Sequence, residues 1–203
     1  MNGEGMVALL DQALAQLGES RDELRDLDAA LGDGDLGVTV SKGCEAVRAA
    51  LANLTKPSPA EVLRTAGAAF ANANPSTMAA LVGGALLTGA KTVAQATDLG
   101  PGEATVFARA AAASIATRGK AQLGDKTILD AILPSLDALE GTSDGDRLQT
   151  MVTAARHAVD ETTPLQSRRG RAAWIGERGA GHPDPGATAY VRLLEALHAT
   201  WPS

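Results

Sequence analysis

Aromatic side chains are nearly missing from this chain: two Phe, two Trp and one Tyr among 203 residues. A core without them has to be built from small aliphatic side chains, and the apolar 45% is mostly Ala, Leu and Val. Ala and Leu head the helix propensity scale, and alanine-rich faces let helices pack closely, so an all-α fold is expected. The single cysteine, Cys44, excludes an internal disulfide and fits a reducing cytoplasm. The start, Met1-Asn2-Gly3-Glu4-Gly5, lacks the cationic stretch of a signal peptide. No apolar run approaches a membrane span, because residues 78–90 are too few and include Gly83, Gly84 and Gly89. A net charge of −6 argues against a broad nucleic-acid or anionic-membrane surface. Length and composition together predict one cytoplasmic domain over residues 1–203.

The apolar positions recur at helical spacing. Leu9, Leu10, Ala13 and Leu17 predict a helix over 6–18. Ser20 with Glu23 has the capping-box pattern and predicts a helix over 21–31, and Val40, Cys44, Val47 and Leu51 predict one over 38–53. Ser58 with Glu61 starts a helix that reaches about Asn72. An apolar helix is expected from Thr77 to about Ala96, and an alanine-rich one over 103–117. Helices over 126–139 and 146–161 flank a turn, Gly141-Thr142-Ser143-Asp144-Gly145. Residues 163–183 are basic and glycine-rich with little periodicity. Asp184-Pro185 then starts a last helix to about His198, with Asp as N-cap and Pro at the first position. Eight or nine helices and no strand result. Unusual connectors fall at every second junction: 32–37, 74–77, 118–125 and 164–184. In an up-and-down bundle alternate connectors share one end, so one pole should collect all four.

At that pole the stretch Leu27-Asp28-Ala29-Ala30-Leu31-Gly32-Asp33-Gly34-Asp35-Leu36-Gly37 sets three carboxylates within eight residues. Asp28 falls in the last turns of a helix that Gly32 is expected to close in the left-handed conformation. Asp33 and Asp35 follow on a glycine-spaced loop that folds back towards it. Mutually repelling carboxylates are relieved by a hard divalent cation, and oxygen-only ligation suits Mg²⁺. The same residues also suit a solvated Asp-Gly turn. The register is not that of an EF-hand loop.

Four segments in order carry a resemblance: Leu27-Asp28 through Gly32-Asp33-Gly34-Asp35; Arg118-Gly119-Lys120 with Gly124-Asp125-Lys126-Thr127 and Asp130; Gly170-Arg171-Ala172 through Gly176-Glu177-Arg178; and Gly181-His182 with Asp184-Pro185-Gly186-Ala187. In these the chain resembles the DhaL (Dak2-domain) family, the nucleotide-binding subunit of dihydroxyacetone kinases. The resemblance implies an eight-helix antiparallel up-and-down barrel holding ADP or ATP at one end. It also implies that Asp28, Asp33 and Asp35 hold two Mg²⁺ ions against the nucleotide phosphates. Leu36, Gly37, Val38 and Thr39 would meet phosphate with helix N-terminal N–H groups, and Ser76, Thr77 and Met78 lie at a second phosphate-facing loop. Gly119 and Ile128 match contacts on the adenosine side, and Arg171, Asp184, Pro185 and Gly186 match the remainder. No residue of this chain is expected to be catalytic in the covalent sense. The hydroxy-ketone would sit on a separate DhaK-type subunit, and some relatives keep ADP bound for rephosphorylation by a phosphotransferase-system carrier of DhaM type. No nucleic-acid or membrane partner is expected.

The sequence departs from the family in three places. Leu36 stands where the aspartate motif normally has histidine. Pro75-Ser76-Thr77-Met78-Ala79-Ala80 replaces a loop of Gly-Gly-Ser-Ser-Gly-Pro type, and Ile128 replaces a common methionine. The first two imply a divergent branch, which serves another small keto-sugar such as a tetrulose, uses nucleotide less strictly or has lost activity; the third is a mild apolar swap. A non-catalytic nucleotide-sensing or docking module of the same fold is the alternative. Among single residues, His182 reads as loop-stabilising, His157 and His198 as surface, and Cys44 as a small core residue. Trp174 reads as a packing or interface anchor. Of Arg168, Arg169 and Arg171, the last is assigned to phosphate. Lys126 lacks the P-loop spacing.

Overall fold

The computed structural model describes residues 1–142 and 146–202, so Ser143, Asp144 and Gly145 of the expected turn lie outside the described residues. Among the described residues there are nine α-helices, one 3-10 helix and no strand. The helices are α1 (Gly3–Glu19), α2 (Arg21–Leu31), α3 (Leu36–Leu51), α4 (Pro59–Ala73) and α5 (Thr77–Ala90). They continue with α6 (Pro101–Gly119), α7 (Ile128–Glu140), α8 (Arg147–Thr162) and α9 (Pro185–Thr200). The 3-10 helix, Arg171–Gly179, lies in the stretch where the sequence has no helical period. From α3 to α9 each helix packs on the next, and α9 also packs on α1 and α7 while α1 packs on α3. The chain therefore closes on itself as a ring, with α2 against α3 and α9.

Two hydrophobic clusters fill it. One gathers α1 to α5 around Leu24, Val40, Leu51, Val62 and Phe70. The other gathers α5 to α9 around Ile115, Leu129, Leu136, Val152 and Leu194. Each fully buried Leu or Val contributes roughly 1.5–3 kcal/mol. The scarcity of aromatic residues is answered by close backbone approach. A Cβ at Gly83 would lie 2.5 Å from the Gly67 carbonyl oxygen, and one at Gly67 would lie 2.8 Å from that of Gly83, so α4 and α5 touch backbone to backbone.

Three expectations differ from the structure. Ser20 makes no side-chain cap: it is also the C-cap of α1, its N–H bonds the Leu17 carbonyl, and its backbone, with ψ 6°, is not the extended one that an N-cap adopts. Glu23 instead takes a two-pronged ion pair from Arg192 of α9, at 2.6 and 2.8 Å. α5 stops at Ala90 rather than near Ala96. Beyond it Lys91 and Thr92 bond three residues back, and the Thr92 hydroxyl takes the Gly89 carbonyl at 2.7 Å. Gly32 is extended, with φ −165°; the left-handed glycine of the aspartate loop is Gly34, with φ 74°.

Candidate functional site

The four unusual connectors do meet. Arg171 of the 164–184 segment reaches the 32–37 loop, donating to Asp33 and, at 2.9 Å, to Asp35. Asn74 donates to the Thr39 hydroxyl at 2.9 Å, tying the start of α5 to the start of α3. Arg169 donates to Asp125 at 3.0 Å, and the Arg168 N–H donates to the Asp125 carbonyl at 2.9 Å, which ties 118–125 to 164–184.

At the centre, Asp28, Asp33 and Asp35 each offer an oxygen within 4.8 Å of the others. Asp28 is half-buried, and its Oδ2 accepts the Leu36 N–H at 3.1 Å. A Cβ at Gly32 would sit 3.3 Å from Asp28 Oδ1, so the glycine leaves the second oxygen uncrowded. Burial pushes the Asp28 carboxyl above the usual range, the Leu36 N–H opposes this, and the Asp35 and Asp33 charges add to it. Arg171 is the positive charge that offsets the cluster, and its own pKa is raised chiefly by the bond to Asp35. Hard oxygen donors this close together fit a Mg²⁺ site, and the guanidinium occupies the electrostatic place of a cation.

Around the aspartates two helix N-termini are open. The first-turn N–H groups of α3 belong to Leu36, Gly37 and Val38; Leu36 spends its own on Asp28, and Thr39 bonds the Asp35 carbonyl. The Gly37 and Val38 N–H groups have no partner among the described residues. The Leu36 side chain, in the place of the family histidine, is buried in the first core cluster. At α5, Ser76 makes no cap bond, Ala80 bonds the Ser76 carbonyl, and the Thr77 and Met78 N–H groups have no partner among the described residues. Gly186 lies against Ile128, where a Cβ would be 3.6 Å from that of Ile128, so α9 and α7 begin side by side. Gly119 ends α6, and a Cβ there would touch only the Leu81 side chain, at 3.9 Å. Asp184 is a true N-cap, accepting the Ala187 N–H at 2.7 Å, and burial pushes its carboxyl up to about 7.

The sequence reading missed what the Gly124-Asp125-Lys126-Thr127 string does. Asp130 accepts N–H groups from Gly124 at 2.6 Å and Thr127 at 2.7 Å, capping α7. Asp125 is buried. Burial alone would raise its carboxyl, but the Arg169 guanidinium and the Gln122 N–H hold it below the ordinary value. Lys126 is 1% exposed, and its ammonium donates to the carbonyls of Thr163 (2.9 Å), Leu165 (2.7 Å) and Gly179 (2.9 Å). The Thr127-x-x-Asp130 spacing was the readable signal for the cap; nothing local signals the lysine.

His182 is exposed and has no hydrogen bond among the described residues, so the loop is not held by it. His157 and His198 are on the surface, paired with Glu161 and Asp146. Cys44 is buried, and burial pushes its thiol up to about 12. Trp174 is 88% exposed and therefore no packing anchor within this chain.

The family model for the DAK2 domain matches residues 30–199. The chain belongs to the DAK2-domain family. Among its relatives it is 38% identical over 198 residues to an L-erythrulose 1-kinase of Mycolicibacterium smegmatis, covering 95% of this chain and 34% of that one. It therefore spans about a third of that protein's length. It is 32% identical over 189 residues to the ADP-binding subunit DhaL of PEP-dependent dihydroxyacetone kinase 2 from Listeria innocua, covering 90% and 88% of the two chains. The DAK2-domain fold is matched by the dihydroxyacetone kinase from C. freundii in complex with AMP-PNP and Mg²⁺, with a TM-score of 0.78, 22% identity, and coverage of 95% and 33%. Its relatives thus include erythrulose kinases and ADP-binding subunits of dihydroxyacetone kinases. Among the described residues no helix is long and apolar enough to cross a membrane.

Proposed function

We propose that residues 1–203 form one nucleotide-binding domain, the ADP/ATP- and Mg²⁺-binding subunit of a dihydroxyacetone-type kinase. The observation that carries this is the convergence of Asp28, Asp33 and Asp35 within 4.8 Å beneath Arg171, in a chain of this family. Asp28, Asp33 and Asp35 would hold two Mg²⁺ ions, whose contribution when bound is charge neutralisation on the phosphates. The chain's own part is to bind and orient. Gly37, Val38, Thr77 and Met78 offer N–H donors at two helix starts, to which the Ser76 and Thr77 hydroxyls add. Arg171 has a fork that suits a phosphate as well as the carboxylates it bonds here. Gly119, Ile128 and the Asp184-Pro185-Gly186 turn border the nucleoside side. Leu36 contributes through its N–H on Asp28 and not through its side chain, so no imidazole aids the phosphoryl group.

The acceptor is a small keto-sugar on a separate DhaK-type subunit in the cytoplasm, with the phosphate drawn from ATP or from a DhaM-type carrier. The 38% identity to an L-erythrulose kinase favours a tetrulose. Calorimetric titration with ADP and with ATP, with and without Mg²⁺, tests the reading. Metal-dependent binding is the expected result, and tight co-purifying ADP would select the carrier route. Absence of binding under all four conditions would leave a docking module of the same fold.

A further inference from the structure

The segment from Thr163 to Gly181 is a long loop that carries Arg171 to the aspartates, and its two ends converge. The Gly181 N–H donates to the Thr163 carbonyl at 2.9 Å. At the same point the Lys126 ammonium gives its three protons to the carbonyls of Thr163 and Leu165, before the 3-10 helix, and of Gly179, at its end. An ammonium has three donors, so these three acceptors saturate it. A second tie sits three residues ahead of Arg171, where Asp125 takes the Arg168 N–H and the next residue, Arg169, adds its guanidinium.

Several costs are concentrated in Lys126. It is buried and, among the described residues, makes no ion pair with a carboxylate; burial lowers its pKa, which the Asp184 charge only partly opposes. Its backbone is left-handed, with φ 59°, which is unfavourable for a side-chain-bearing residue. Removing an ion from water costs several kcal/mol, and a hydrocarbon of the same shape serves packing better. A lysine placed here at that cost, directed at backbone carbonyls on both sides of one loop, suits a part that fixes the loop's position.

We infer that Lys126, supported by the Asp125–Arg169 pair, is a positioning residue that holds the Arg171 arm over the Asp33–Asp35 carboxylates. This rests on the proposed nucleotide site. It makes a prediction of opposite signs, because the arm competes with a cation for the carboxylates yet serves the nucleotide. Freeing the arm should tighten binding of a bare divalent ion and weaken binding of its nucleotide complex. General destabilisation of the fold weakens both.

The test measures Mn²⁺ alone, by its paramagnetic signal, and Mg-ADP by calorimetry, on the full chain. Lys126→Met is expected to keep the helical circular dichroism, to bind Mn²⁺ several-fold more tightly and to bind Mg-ADP about tenfold more weakly, the loss of one charge-assisted contact. Arg171→Ala should show the same pair of signs, and the double variant should be no worse than Arg171→Ala alone. If Lys126→Met does not fold, Arg169→Gln gives the same signature at smaller size, since that side chain is half exposed. Weakening of both ligands, no change in either, or additive losses in the double variant overturns the inference. A wild-type chain that binds no Mg-ADP defeats the nucleotide reading instead, and the Mn²⁺ comparison still decides whether Lys126 holds the arm.

Discussion

At the scale of single residues, the aspartates carry the sharpest expectation. Asp33→Asn removes one charge from a cluster whose oxygens lie within 4.8 Å and also weakens the Arg171 contact. Mg-nucleotide binding should be lost in calorimetry while the far-ultraviolet spectrum stays that of the parent; normal affinity would show that the metal assignment is wrong. Asp184 makes a different prediction. Its folded carboxyl is pushed up to about 7 from an ordinary 3.8, by burial first and by the charge of Asp130 second. The folded chain thus holds a proton that the unfolded chain has released across that window, so this group's stabilisation is full below about pH 4 and is lost as pH rises through 7. Asp184→Asn keeps an oxygen to accept the Ala187 N–H. Its melting temperature relative to the parent should rise between pH 5 and pH 8. A difference independent of pH would mean that Asp184 is already ionised.

At the scale of elements, close helix contacts stand in for large side chains. Gly83→Val places branched carbons against the Gly67 carbonyl, 2.5 Å from the Cβ position. Overpacking of this kind costs about 1–3 kcal/mol, to be read from the urea midpoint. An unchanged midpoint would show that α4 and α5 separate freely. The elements were also where the sequence was most readable. Helix positions followed from apolar spacing, and the limits of α2 were as expected, because Pro, Gly and polar junctions bound each helix. Legibility failed where a distant partner decided the local outcome. Glu23 has the capping pattern yet serves Arg192, 169 residues away. Of the 3-10 helix only Gly179 is buried, so its packing leaves little trace in the sequence. Lys126 bonds the last residue of that helix, Gly179, and the preceding Thr163 and Leu165, acceptors 53, 37 and 39 residues distant, a separation that no window over the sequence spans. The aspartate triad was legible because its three members are close in sequence as well as in space.

At the scale of the whole molecule, the site lies where four connectors from different parts of the ring converge, so ligand binding and global stability are linked. Anything that binds only the folded ring stabilises it by mass action, by roughly 2.7 kcal/mol at a hundredfold excess over the dissociation constant, and so raises its melting temperature. Mg²⁺ with ADP should therefore raise the melting temperature in proportion to the logarithm of ADP concentration, and chelation of the metal should return it to the ligand-free value. A rise that survives chelation would separate nucleotide binding from the aspartates.

The shortage of aromatic residues also governs how this protein can be watched. Its two tryptophans, Trp174 and Trp201, are 88% and 50% exposed, so neither lies in a core whose collapse it would report. Emission from this chain should shift little when the helices melt. Trp174 sits three residues beyond Arg171 on the same 3-10 helix, and in a Trp201→Phe background it would be the sole tryptophan, excited selectively above the tyrosine band. Light from that one indole would then follow the surroundings of the loop as metal, nucleotide or a partner subunit arrives: a local optical gauge in a protein otherwise nearly dark.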